Sequence, residues 1–169
     1  MNDENLNHEP LLIVVSSPSG AGKTSVCRKL LENNDNIQIS ISATTRKPRK
    51  NEVDGIDYNF ISREDFQNRI KNNEFLEYAE VFDNFYGSLI EDVENITRFK
   101  KDVLFDIDWQ GFQQLKQSGM DVVGIFILPP NKKELIRRLK KRGRDTSEEM
   151  KTILPNLFLT IFFTKCFKR

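Results

Sequence analysis

The chain has 169 residues, 38% hydrophobic and 30% charged, with a formal net charge of +1. That length suits one domain with at most a small inserted lobe, and the balance is globular rather than disordered or membrane-embedded. The charge excludes a bulk polycation for nucleic acid, and two distant cysteines, Cys27 and Cys166, exclude a disulfide framework and fit a reducing compartment.

The first ten residues, MNDENLNHEP, are polar and acidic, the reverse of a secretory leader. They predict a frayed tail that includes the single histidine, His8. Residues 11–15 are a continuous apolar run, as expected of a strand buried on both faces. A glycine loop follows, then a helical stretch over 24–32. Ile37, Ile39 and Ile41 alternate with polar residues and predict a second strand. Residues 42–55, rich in Arg, Lys, Thr and Pro, predict a loop, and 56–61 a strand. Ser62 and Asp65 frame a helix start for 63–71. Residues 75–82 read as extended, Asp83-Asn84 as a turn and 89–99 as a helix.

Residues 103–108, VLFDID, are another buried strand, ending in acids. Residues 109–117 are helical and Gly119 stops them. Residues 122–128 form a further apolar strand, closed by Pro129-Pro130, and Asn131 caps a basic helix running to Arg142. No apolar run reaches the roughly 18 residues that a membrane span needs. Strands alternating with helices at both ends predict an α/β fold, a parallel sheet flanked by helices. The expected division is a disordered tail (1–10), a core (11–41 and 99–130), an inserted lobe (42–98), a short lid (131–150) and a tail (151–169).

That last tail changes character. Residues 153–169 hold four phenylalanines and no acid, whereas residues 1–152 hold all 25 acids and 23 of the 26 bases. Our expectation is a segment out of register with the chain before it, as a shifted reading frame produces. A helix and strand that continue the α/β pattern, emerging from another frame downstream of codon 150, would support it, and their absence would sink it.

Ser17-Pro18-Ser19-Gly20-Ala21-Gly22-Lys23-Thr24 follows the first strand and opens the first helix, the context that a P-loop requires. Gly20 and Gly22 let successive backbone N–H groups face a phosphate, and the helix N-terminus adds partial positive charge. Lys23 is placed to reach β- and γ-phosphates, and the Thr24 hydroxyl to ligate Mg²⁺. Ser17 stands where the strict pattern has its first glycine. Arg46 and Arg49, three residues apart in a loop, offer two guanidinium forks to a phosphate dianion. Tyr58, Glu77, Tyr86 and Ser88 follow in the same lobe. Read alone, the arginine run is more often a solvated basic loop than a site, and Glu77 more often the polar side of an alternating strand. Asp106 and Asp108 read alone are strand-end acids that cap the next helix.

The stretches SPSGAGKT, SISATTRKPRKNEVDGIDYNF, NNEFLEYAEVFDNFYGS, VLFDIDWQG and FILPPNKKELIRRLKKRGRDTSEE together resemble the guanylate kinase family. The resemblance covers residues 11–150 and implies a P-loop NTPase-type sheet with a GMP-binding lobe and a lid. It implies transfer of the γ-phosphoryl of ATP to GMP, giving ADP and GDP, with Mg²⁺. Ser17, Pro18, Ser19, Gly20, Ala21, Gly22, Lys23 and Thr24 would bind ATP. Arg46, Arg49, Tyr58 and Tyr86 would grip the GMP phosphate, and Ser42, Glu77 and Ser88 would read guanine. Glu77 suits that role, because a carboxylate accepts from guanine's adjacent N1–H and N2–H₂ donors and repels adenine's bare N1.

The resemblance also implies that Asp108 helps hold GMP, that Thr24 and Asp106 serve the metal, and that Lys23, Arg46, Arg138 and Arg142 are catalytic. Arg137 and Arg144 read equally as a solvated helix face. No general base is needed, because the GMP phosphate is already a nucleophile. Expected partners are small molecules, ATP and GMP or dGMP, without nucleic acid or membrane, in a cytoplasmic monomer or homodimer. Ile153 departs from the family's pattern, which has a further lid arginine there, and the closing helix, strand and helix are replaced by the Phe-rich tail. Against catalysis stand two alternatives, an inactive remnant and a non-catalytic guanylate-kinase-like binding module. Retention of Lys23 and Thr24 weighs against the module.

Overall fold

The computed structural model describes residues 8–81 and 83–142; residues 1–7, Phe82, residues 143–150 of the expected lid and the tail 151–169 lie outside it, as do the side chains of Lys132, Lys141 and Arg142. The chain runs β1 (Leu12–Ser16), α1 (Lys23–Glu32), β2 (Ile37–Ile39), β3 (Ala43–Thr44), β4 (Asn59–Phe60), α2 (Arg63–Lys71) and β5 (Phe75–Val81). It continues β6 (Asn84–Leu89), α3 (Ile90–Arg98), β7 (Asp102–Asp106), α4 (Trp109–Gln117), β8 (Val122–Phe126) and α5 (Lys132–Arg142).

Two four-stranded sheets form. The first, in the order β2-β7-β1-β8, is wholly parallel. β1 pairs on both sides, which is why its sequence is apolar without alternation. Successive residues serve opposite faces. Val14, Val103 and Phe105 pack with Val93 and Ile96 of α3 and with Phe112 and Leu115 of α4. Val15 and Leu104 pack on the other face with Cys27, Leu30 and Leu31 of α1. Thus α3, which falls within the span 42–98 expected of the lobe, packs its buried side against the first sheet.

The second sheet has the order β4-β3-β6-β5; β6 runs antiparallel to both of its neighbours, and β3 and β4 are parallel. Its core is aromatic. Phe66 of α2 is fully buried and stacks on Phe75 at 4.3 Å and on Phe85 at 5.3 Å between ring centroids. α2 begins as its sequence dictates, with the Ser62 hydroxyl accepting the Asp65 N–H at 3.0 Å. α5 is capped by Asn131, whose Oδ1 accepts the Glu134 N–H at 2.8 Å.

Several expectations change. The strand expected over 56–61 contracts to β4, preceded by a bridge between Asp54 and Tyr58. The loop expected over 42–55 contains β3, and the second strand ends at Ile39 rather than Ile41. Residues 84–89 are a strand that the sequence did not announce. His8 is not a frayed residue. Its Nε2 donates to Asp102 Oδ1 at 2.7 Å, and the Leu11 N–H donates to the same oxygen at 2.8 Å, so the start of β7 anchors the entry to β1.

Candidate active site

The carboxyl ends of β1 and β7, the glycine loop, one face of the second sheet and Arg138 of α5 surround a cavity of about 600 Å³. This is where open parallel sheets receive ligands.

At one end lies the loop from Ser17 to Thr24. Gly20 and Gly22 have φ of 80° and 108°, a region that favours glycine and turns the chain sharply into α1. Ser17, Pro18, Ser19, Gly20, Gly22, Lys23 and Thr24 line the cavity, while Ala21 is buried behind them. Lys23 Nζ pairs with the Asp106 carboxylate and donates to the Ile107 carbonyl at 3.2 Å. The register that sets Asp106 beside Val15 makes this pair, because it brings the end of β7 level with the start of the loop. α5 closes over the loop from outside. Leu135 and Leu139 are buried, and a Cβ built on Gly20 would meet Leu139 Cδ2 at 2.8 Å, so the positive φ and the close leucines together favour glycine there. Arg138 donates from Nη1 to the Ala21 carbonyl at 3.0 Å and from Nε to Glu134 at 2.8 Å. Glu134 also binds Arg137, and these two guanidinium partners hold its carboxyl down at about 2.

At the other end lie Ser42, Arg49, Tyr58, Glu77 and Tyr86. Glu77 is 4% exposed and faces Ser88 across the β5–β6 ladder, whose hydroxyl donates to Glu77 Oε1 at 2.7 Å. Burial pushes the Glu77 carboxyl up to about 7; the Ser88 bond opposes this and the Asp108 charge adds to it. Ser88 itself is fully buried behind that carboxylate. Burial, reinforced by Asp106, raises the Tyr58 phenol to about 12, so it remains a neutral donor. Burial first, and then Asp106, lifts Cys27 to about 11, which makes it a packing residue rather than a nucleophile.

Arg46 stands behind this wall rather than in it. Its guanidinium forks onto Glu52 at 2.9 and 3.0 Å and lies 5.3 Å from the centre of the Tyr58 ring. Glu52 also accepts the Arg49 N–H at 2.8 Å, so one carboxylate organises the whole basic turn. Asp106, at the end of β7, and Asp108, which caps α4, both line the cavity and have different partners. Asp106 answers Lys23, whereas Asp108 Oδ1 caps α4 by accepting from Gln110 N and Gly111 N at 2.9 and 3.1 Å. Sequence reasoning passed over Ser25, Arg28, Ala79, Val81 and Ile107, which also line the cavity, and Glu52. Only Glu52 had a local signal, its position three residues after Arg49.

A parallel sheet with a glycine loop at its edge, opening a helix beside a cavity, defines a P-loop protein of the α/β class. The sequence model of the guanylate kinase family matches residues 9–157. A guanylate kinase of Rickettsia bellii is 51% identical over 138 residues, which are 82% of this chain and 72% of the relative. One of Paramagnetospirillum magneticum is 54% identical over 139 residues, 82% of this chain and 65% of the relative. One of Clostridium perfringens is 48% identical over 161 residues, 95% and 74%. The crystal structure of guanylate kinase from Anaplasma phagocytophilum superimposes with a TM-score of 0.67 at 42% identity, covering 79% of this chain and 68% of that one. The chain belongs to the guanylate kinase family.

Proposed function

We propose that the chain transfers the γ-phosphoryl group of ATP to GMP, giving ADP and GDP, with Mg²⁺. The observation that carries this reading is that Lys23 and the glycine loop face Glu77 and Ser42 in one cavity. The loop's N–H groups and Lys23 hold the ATP phosphates. Arg49, Tyr58 and Tyr86 hold the GMP phosphate. Arg46 supports that group from behind, forked onto Glu52 and lying over the Tyr58 ring, and the guanidinium N–H donors that Glu52 does not take add to the cationic wall. Ionised Glu77, with Ser42 and Ser88 beside it, accepts from guanine N1–H and N2–H₂. Residues 42–98 carry the acceptor-binding function, and the segment from 131 carries the lid, with Arg138 already at the loop and Arg142 one helical turn beyond.

Among the described residues no cluster of three or more His, Cys, Asp or Glu makes a metal cage. The donor set nevertheless suits Mg²⁺, which binds through one or two protein oxygens plus substrate phosphates. Thr24 and Asp106 would hold it, and it would neutralise charge developing on the phosphates. Catalysis otherwise rests on positioning two anions in line within cationic walls, without a general base. No helix among the described residues is long and apolar enough to cross a membrane.

The test is ADP formation from ATP, Mg²⁺ and GMP, with AMP, CMP and UMP as controls. GMP-dependent turnover should fall by on the order of 10²–10³-fold in Lys23→Ala. Ile153, in place of a lid arginine, should leave the unmutated chain slower than its relatives. Equal turnover with AMP and GMP would defeat the reading.

A further inference from the structure

Gly111 lies in the first turn of α4, three residues after its cap Asp108. Its backbone is ordinary helix, unlike the left-handed Gly20, Gly22, Gly55 and Gly119. A glycine there weakens a helix relative to alanine, so helix formation does not explain it. Its surroundings do. A Cβ built on Gly111 would lie 2.9 Å from Glu77 Cδ, closer still to Oε2, and 3.1 Å from Ile107 Cδ1.

Neither partner can easily retreat. The Glu77 side chain is buried, and its Oε1 is held by the Ser88 hydroxyl at 2.7 Å. α4 is pinned to β5 by Gln114, one turn beyond Gly111. The Gln114 Oε1 accepts the Tyr78 N–H at 3.1 Å and its Nε2 donates to the Tyr78 carbonyl at 2.7 Å. The Gly111 N–H is meanwhile engaged by Asp108. The space left by the missing side chain is therefore the seat of Glu77 Oε2.

We infer that Gly111 is a specificity-determining positioning residue, which fixes the Glu77 carboxylate where it accepts from both N1–H and N2–H₂ of the acceptor's base. This rests on the guanine-reading role proposed for Glu77. IMP is the natural probe, because hypoxanthine keeps N1–H and lacks the 2-amino group. A carboxylate displaced by a methyl at position 111 keeps at most one of the two bonds, so the loss falls mainly on GMP.

The experiment uses the full chain. Dissociation constants for GMP, IMP and ATP are measured by calorimetry, with thermal midpoints, for the unmutated protein, Gly111→Ala, Glu77→Asp and the double variant. Gly111→Ala should weaken GMP by about tenfold or more, bring the GMP:IMP preference towards one, and change ATP by less than about twofold. Aspartate is one methylene shorter and withdraws from the clash. In the Glu77→Asp background the Gly111→Ala change should therefore have little further effect. An unchanged GMP:IMP preference in folded Gly111→Ala overturns the inference, as does an equal loss in both backgrounds. If Gly111→Ala does not fold, the double variant decides: a folded double supports the seat and an unfolded one refutes it. Glu77→Gln separates the two levels. No change of GMP:IMP preference in it removes the guanine-reading role itself, whereas a change there with none in Gly111→Ala removes only the part given to Gly111.

Discussion

The guanine-reading role proposed for Glu77 ties GMP affinity to the protonation of its carboxyl. Guanine's two donors need a carboxylate, and burial holds this carboxyl's pKa at about 7. GMP affinity should therefore reach a plateau above that pH and fall by about tenfold per unit below it. The GMP phosphate titrates in the same range, so Glu77→Gln is the reference, since its remaining pH dependence belongs to the phosphate. Isothermal titrations between pH 6 and 8 give both curves, and parallel curves would mean that Glu77 binds no base donor. The same group tilts stability. Glu77 holds its proton more tightly folded than unfolded, so its contribution is complete below the ordinary carboxyl value of 4.5 and is lost as the pH rises through about 7. The unliganded protein should lose on the order of 2–3 kcal/mol between pH 5 and 8 on this account, a loss absent in Glu77→Gln on urea unfolding.

Elements with local signals stand where the sequence puts them. α2 and α4 occupy the expected 63–71 and 109–117, because Ser62 and Asp108 cap them from within the same turn. Strands of the second sheet do not, because their reasons are distant. β6 contains Asn84 and Gly87, which read as turn formers, and it exists because β5 and β3 pair with it on both sides. β3 is two residues long and has no period to detect. The same division holds within the site. The glycine loop is a local motif and was legible. The Glu77–Gly111 contact, the Lys23–Asp106 pair and the fork of Arg46 onto Glu52 depend on register and on the turn of the basic loop, and were not. The roles of the two strand-end acids separate by variant. Asp108→Ala should lower stability by about 1 kcal/mol through the lost cap. Asp106→Asn should leave the cap intact and reduce turnover. Denaturant midpoints alongside the ADP assay check both, and an unchanged midpoint in Asp108→Ala would contradict the capping account.

The cavity is shared by two sheets, so its geometry depends on the contacts that tie them together. Arg28 of α1 reaches Asp57 at 3.6 Å, but the arginine side chain is 70% exposed, and such a pair contributes little. The firmer tie is Gln114, whose amide satisfies both backbone groups of Tyr78, the residue after Glu77. It acts as an extra rung between α4, which packs on the first sheet, and β5 of the second. Gln114→Ala removes two hydrogen bonds, each with a net worth of about 0.5–1.5 kcal/mol. Fraying of β5 at Tyr78 then reaches Glu77 directly, whereas the glycine loop lies on the other side of the cavity. GMP binding should weaken several-fold with ATP binding unchanged, and the Tyr78 amide should exchange faster with deuterium. Unchanged protection at Tyr78 together with weaker GMP binding would show that Gln114 touches the acceptor site by another route and that the two sheets are held in register elsewhere.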